Sequence, residues 1–107
     1  MKPQDRAIVE EFAGRVRAEI DPRARIWAYG SRVRGDAAEY SDLDICVVVA
    51  GDLTYERRLA IGHIAWEIGF EHETFIQDVV FSEESFERGP MSAHPLVKNI
   101  LREGLAA

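Results

Sequence analysis

The feature that most constrains the fold is an uninterrupted apolar run from Ile45 to Ala50. A strand with one buried face alternates apolar and polar residues, whereas a strand covered on both faces is apolar throughout. We therefore predict a strand from about Asp42 to Val49 whose second half is covered on both sides. Shorter strands are predicted over residues 25–29 and 74–81, the latter rich in β-branched and aromatic residues.

Helices are predicted between these strands. Apolar residues recur at helical spacing over residues 3–20, 54–69 and 95–103. A short helix through about Arg34 follows the first strand and leads into a loop over residues 35–40. Another short helix begins at Ser82, which is a suitable cap, and Gly89-Pro90 interrupts it in a loop that reaches to about His94. At 107 residues the chain is expected to be one domain, residues 1–107, with strands and helices interleaved.

Two aspartates stand one residue apart at the head of the central strand. Successive side chains on a strand point to opposite faces, so Asp42 and Asp44 share a face while Leu43 and Ile45 take the other. Carboxylates this close raise one another's pKa unless a cation lies between them, and Mg²⁺ prefers carboxylate and phosphate oxygens. The pair indicates a divalent metal site, although Ser41 to Asp44 could also begin a strand with solvated carboxylates.

A Gly-Ser turn leaves the first strand. Gly30 permits backbone torsions that a side chain would block, and Ser31 can cap the short helix. Free N–H groups at a helix start favour anions, and Arg32 and Arg34 add positive charge. Gly-Ser is also a common loop pair, but together with the aspartates the turn indicates a triphosphate site.

These residues resemble the signature of a known superfamily. The pattern of Gly30 and Ser31, ten intervening residues, then Asp42 and Asp44 is similar to that of the nucleotidyltransferases related to DNA polymerase β. The Arg34-Gly35 pair and Ser41 also fit, and the short chain is most similar to the minimal nucleotidyltransferases often encoded beside a HEPN-domain partner. The resemblance implies the nucleotidyltransferase fold, an α/β (α+β) domain with a small mixed sheet of three to four strands.

The resemblance also implies a site and a reaction. Asp42 and Asp44 would bind Mg²⁺, and the phosphates of ATP or another NTP would contact the residues Gly30, Ser31, Arg34 and Ser41. Active members carry a third catalytic carboxylate on a neighbouring strand, for which Asp78 is the candidate. Asp78 could equally be a charged residue of an edge strand or a solvated group near a strand end.

The implied activity is transfer of a nucleoside monophosphate from an NTP to a hydroxyl, and AMP is the first candidate. The resemblance implies a HEPN-type toxin as acceptor, modified on a tyrosine and thereby neutralised, with this chain as antitoxin. One alternative is an inactive binding module that regulates a partner by contact, and another is a small-molecule (antibiotic) adenylyltransferase. A homo-oligomer remains open.

Composition limits the partners. The formal net charge is −6, which argues against direct nucleic-acid binding, since such binding depends on basic side chains. The single cysteine, Cys46, is expected to be buried, and no membrane span or secretory signal is recognised, so a cytoplasmic location is expected. His63 is expected to be partly buried, Glu71 to Glu73 to form a solvated turn, and Tyr55 and Trp66 to be candidates for exposure.

Overall fold

The computed structural model describes residues 1–36 and 41–107, which form a four-stranded mixed sheet with helices on both faces. In chain order the elements are helix α1 (Pro3–Glu19), strand β1 (Arg25–Tyr29), helix α2 (Ser31–Arg34), strand β2 (Leu43–Val49), helix α3 (Tyr55–Glu71), strand β3 (Ile76–Ser82), helix α4 (Glu83–Glu87), a 3₁₀ turn (Pro90–Ala93), helix α5 (Pro95–Glu103) and strand β4 (Leu105–Ala106). The predicted fold class is confirmed. The loop predicted over residues 35–40 lies mostly outside the described residues.

Strand β2 is central in the sheet, whose order is β3-β2-β1-β4. It pairs antiparallel with β1 and parallel with β3, and β4 pairs antiparallel with the other side of β1. All residues of β2 are buried except Asp44, which is half-buried. The prediction of a strand covered on both faces is therefore confirmed.

Two hydrophobic cores lie on the two faces of the sheet. The larger core packs α1 and α3 against the face that carries Ile45 and Val47, with Phe12 and Ile61 fully buried in it. The smaller core packs α4 and α5 against the opposite face, where Cys46 is fully buried as predicted. Because β2 contributes to both cores, alternate residues of one strand hold the two helical layers together.

Side-chain caps fix the starts of three helices. Thr54, Ser82 and His94 each accept a hydrogen bond from a backbone N–H in the first turn of α3, α4 and α5 respectively. Such caps satisfy N–H groups that a helix cannot pair internally. The predicted cap at Ser82 is confirmed.

The buried carboxylate of Asp21 connects the end of α1 to the end of β2. One of its oxygens accepts from the N–H of Arg23 at 2.9 Å, and the other accepts from the N–H of Ala50 at 2.8 Å. Two backbone donors compensate for the burial of the charge. This contact fixes the end of β2 that lies away from the aspartate pair.

Surface predictions had mixed outcomes. Tyr55 and Trp66 are exposed, and the solvated turn at Glu71 to Glu73 is confirmed by its exposure. The prediction for His63 was wrong, because its side chain is exposed on the outer face of α3. Within the described parts of the chain, no helix is both long and apolar enough to span a bilayer. The single domain and the cytoplasmic location stay predictions.

Candidate active site

The aspartate pair lies at the open end of the smaller core. Asp42 directly precedes β2 and Asp44 is its second residue, both half-buried. Burial raises the pKa of the Asp44 carboxyl, and the neighbouring Asp42 carboxylate raises it further, whereas Arg32 and Arg34 lower it. The two carboxylates therefore lie close enough to repel each other, and a divalent cation would relieve that repulsion. This donor set fits Mg²⁺.

Gly30 is required by the position of Asp44. A Cβ added to Gly30 would overlap the Oδ2 atom of Asp44 and would lie 3.3 Å from its Cγ atom. Gly30 also has φ 82° and ψ −160°, a conformation that is essentially restricted to glycine. The turn and the aspartate pair, which were predicted separately, thus share one small volume.

Helix α2 is a single tight turn whose first N–H groups directly follow Gly30. The carbonyl of Gly30 accepts from the N–H groups of Val33 and Arg34, each at 3.1 Å, and the carbonyl of Ser31 accepts from the N–H of Gly35 at 2.9 Å. Gly35 ends the helix with φ 85°. The N–H groups of Ser31 and Arg32 come before any carbonyl of the helix that could accept from them.

Arg32 positions the segment before the pair. Its Nε donates to the carbonyl of Ser41 at 2.9 Å, and its Nη1 lies 3.0 Å from the Asp5 carboxylate at the start of α1. Both side chains of this ion pair are largely buried. Arg32 therefore joins α1, α2 and the backbone next to Asp42.

Arg34 is exposed and contacts two carboxylates. Its Nε lies 3.3 Å from Asp36 and its Nη1 lies 3.4 Å from Glu103 at the end of α5. These contacts, with Asp36 first, raise the pKa of its guanidinium, which stays charged. A phosphate at this position would compete with both carboxylates for Arg34.

The structure does not bring Asp78 to the pair. In the parallel pairing of β2 and β3, Asp78 is paired with Ile45, whereas Asp44 is paired with Gln77. Paired residues point to the same face, so Asp78 lies on the α3 face and Asp44 lies on the other. The side chains of β3 that share the Asp44 face are Gln77, Val79 and Phe81, and none is acidic. We correct the site by leaving Asp78 out of it.

Sequence reasoning missed Tyr29 and Asp5 at this site. Tyr29 is paired with Asp44 across β1 and β2, and burial together with the Asp44 carboxylate raises the pKa of its hydroxyl to about 12. The phenol therefore stays protonated and can donate a hydrogen bond at neutral pH. No spacing rule links Asp5 to Arg32, and the partner of Asp44 depends on a register that the sequence does not specify.

Fold and site together define a class of protein: a mixed α/β domain with paired carboxylates beside a Gly-Ser turn. The model of the nucleotidyltransferase domain family matches residues 9–106, so the chain belongs to that family. The resemblance described above is confirmed, and so, at the level of the family, is the prediction of an enzyme of this class.

A curated relative is the probable protein adenylyltransferase MntA of Haemophilus influenzae, which is 34% identical over 58 residues. The match covers 54% of this chain and 47% of that relative, so the aligned part spans about half of each.

Two crystal structures share the fold at 18% sequence identity. One is a toxin–antitoxin, a mutant of MntA–HpeT in which two aspartates two positions apart are replaced by glutamate. It gives a TM-score of 0.62, and the match covers 91% of this chain and 69% of that one. The other is a toxin–antitoxin with AMP-PNP, with a TM-score of 0.61 and coverage of 94% and 69%.

Proposed function

We propose that this chain transfers AMP from ATP to a hydroxyl group, with Asp42 and Asp44 binding Mg²⁺. The observation that carries the proposal is the Asp44 carboxylate packed against Gly30, with the Asp42 carboxylate near enough to raise its pKa. The name of the Haemophilus relative, an adenylyltransferase, supports it, as does the AMP-PNP in one structure of the same fold. The paired aspartate substitutions in the other structure concern residues with the same spacing as Asp42 and Asp44.

The other site residues would bind the triphosphate. Gly30 leaves room for a close approach, and the first N–H groups of α2 at Ser31 and Arg32 donate to phosphate oxygens. Arg34 would exchange its contacts with Asp36 and Glu103 for the leaving pyrophosphate. Ser41, which Arg32 holds through its carbonyl, is next to the metal-binding pair.

In the reaction the acceptor oxygen forms a bond to the α phosphorus, and the bond from that phosphorus to the oxygen bridging the β phosphate breaks. Mg²⁺ would supply charge neutralisation for the triphosphate and for the leaving pyrophosphate. The Asp44 face of β3 carries no acid that could take the acceptor proton, which we therefore assign to water. Asp42 and Asp44 bind metal in this scheme, and neither acts as the base.

A partner protein is the acceptor that fits best. The Haemophilus relative is named a protein adenylyltransferase, and both structures are of toxin–antitoxins. We propose that the partner is a HEPN-type toxin, that the acceptor is a tyrosine hydroxyl, and that this chain is the antitoxin. The net charge of −6 agrees with a protein acceptor better than with a nucleic acid.

One observation favours a second candidate, a binding module that regulates its partner without turnover. The neutral Gln77 is paired with Asp44, and Asp78 lies on the opposite face. A site with two carboxylates could bind a nucleotide and still transfer nothing.

The test incubates the purified chain with α-labelled ATP and Mg²⁺, with and without the protein encoded beside it. The Asp42→Asn, Asp44→Asn double variant and the Asp78→Asn variant are assayed in parallel. We expect label on the partner, lost in the double variant and retained in Asp78→Asn.

Two other outcomes have definite meanings. If the chain binds nucleotide and forms a stable complex but transfers nothing, the binding module is favoured over the enzyme. Label on the partner that persists in the double variant would place the active site elsewhere.

A further inference from the structure

Helix α3 carries a second apolar stripe that faces solvent. Its inner stripe, which includes Ile61 and Ile68, lies in the larger core. The outer stripe consists of exposed side chains at helical spacing: Tyr55, Leu59, Trp66 and Phe70. Trp66 is 65% exposed and Phe70 is 76% exposed, and their rings stack with centroids 5.5 Å apart. Exposed apolar side chains that pack together, as Trp66 and Phe70 do, are typical of an interaction surface.

Trp66 and Phe70, the two stripe residues nearest the end of α3, border an open groove between α3 and β3. The groove has a volume of about 830 Å³ and continues past the exposed ring of Phe75 along the strand. Strand β3 is at the edge of the sheet, since among the described residues it pairs only with β2. Its outer backbone groups are therefore open to another chain segment.

The charged residues that line the groove are all acidic. Three carboxylates line it, those of Glu71, Glu73 and Asp78, and no lysine or arginine lies among its lining residues. Within residues 1–36 and 41–107, none of the three forms an ion pair. An occupant that pairs with these carboxylates must carry lysine or arginine beside its apolar side chains.

The groove and the candidate active site lie on opposite faces of the sheet and come close to each other at the start of β3. Gln77 lines the groove and is the residue of β3 that is paired with Asp44. A segment lying along the outer edge of β3 is therefore two strands away from the metal-binding carboxylates.

We propose that this groove docks a basic and apolar segment of the protein that accepts the nucleotide. The identity of that protein rests on the proposed function. The basic and apolar character of the segment rests only on the residues that line the groove. A second copy of this chain fits less well, because it would bring a surface of net charge −6 against the same acidic groove.

The experiment selects peptides from a phage-displayed library of random dodecapeptides on the full chain without nucleotide. The Trp66→Ala, Phe70→Ala double variant serves for counter-selection, and affinities of the enriched peptides are measured by fluorescence anisotropy. Leu101→Ala is the matched control, because Leu101 is 61% exposed on α5, away from the groove.

We expect enriched peptides that combine aromatic or aliphatic residues with lysine or arginine. Their affinity should fall about tenfold or more in the Trp66, Phe70 double variant. It should also fall in the Glu71→Gln, Glu73→Gln, Asp78→Asn triple variant and stay unchanged in Leu101→Ala.

Several results would overturn the proposal: no enriched peptide, peptides without basic residues, or equal affinity for the Trp66→Ala, Phe70→Ala variant. Sedimentation that shows a dimer abolished by the same two substitutions would assign the groove to a second copy. The Asp42→Asn, Asp44→Asn variant should bind the peptides normally. Failure of nucleotide transfer with intact peptide binding would count against the proposed function alone.

Discussion

At the scale of single residues, the site depends on how little space separates Gly30 from Asp44. The Asp44 carboxylate occupies the volume that a Cβ at position 30 would need. The glycine therefore serves two requirements, a backbone conformation that other residues avoid and room for a carboxylate. The sequence signature can be understood physically as one packing contact between a turn and a strand.

Replacing Gly30 by alanine should move the Asp44 carboxylate and strain the backbone. We expect a loss of about 2 kcal/mol in the free energy of unfolding and loss of Mg²⁺-dependent ATP binding. Gly35→Ala is the control, since Gly35 also has positive φ but open space around it. It should cost about 1 kcal/mol and leave ATP binding intact. Denaturant unfolding and calorimetry measure both, and equal binding by the two variants would contradict the packing argument.

The register of β3 yields a prediction about two neighbouring residues. At a saturating concentration of the partner, Asp78→Asn should leave the transfer rate within about twofold of that of the unchanged chain, whereas loss of a catalytic base typically costs about 100-fold or more. Gln77→Asp adds a carboxylate on the Asp44 face and should lower the Mg²⁺ concentration that gives half-maximal activity. Initial rates over a Mg²⁺ titration measure both effects. A large loss in Asp78→Asn would return Asp78 to the site.

At the scale of elements, much of the fold could be predicted because periodicity is local. The bounds of β1 and α5 agree with the sequence, and those of α1 and β2 differ by one residue. Strand β4 was missed because two residues carry no periodic signal and depend on pairing with β1. The 3₁₀ turn at Pro90–Ala93 was predicted only as a loop.

Features that depend on the relation between elements could not be predicted. Alternation shows that Asp78 shares a face with Ile76 and Val80, but only pairing with β2 decides which face that is. His63 was predicted to be partly buried because apolar residues flank it, but α3 has a second apolar stripe that points outward. The residues of the Gly-Ser turn and the aspartate pair were found because a contiguous motif carries them.

The ion pair of Arg32 and Asp5 is expected to join α1 to α2, and its strength can be measured. A double-mutant cycle with Asp5→Ala and Arg32→Ala should give a coupling free energy of about 1–3 kcal/mol, because the pair is largely buried. The exposed pair of Arg6 and Glu10 within α1 is the matched control and should give less than about 0.5 kcal/mol. Chemical denaturation measures both cycles. Equal coupling would mean that Arg32 does not anchor α1 to the site.

At the scale of the whole molecule, the two faces of the sheet carry different surfaces. One face carries the larger core and, outside it, the groove of α3. The other face carries the smaller core and the aspartate pair at its open end. The two proposals therefore place partner binding and chemistry on surfaces that meet only near the start of β3.

Cys46 offers a measure of global opening. Burial raises the pKa of its thiol from 9.0 to about 12, so the folded chain should resist maleimide at pH 8 and react only on unfolding. The unfolded chain loses this proton at lower pH, so the free energy of unfolding should fall as pH rises above 9, by roughly 1–2 kcal/mol at pH 10. Cys46→Ala should lack this part of the slope, and fast labelling of the folded chain would contradict the burial.

The central position of strand β2 limits how the site can move. It is hydrogen-bonded on both edges and covered on both faces, so its amide hydrogens can exchange with solvent only when most of the domain opens. Asp44 belongs to this strand, and the backbone that carries its carboxylate therefore has no local route to a different position. Fluctuations that admit a nucleotide or a partner must then occur in the turn of α2 and in the outer surfaces, while the backbone at the proposed metal-binding end of the strand stays fixed.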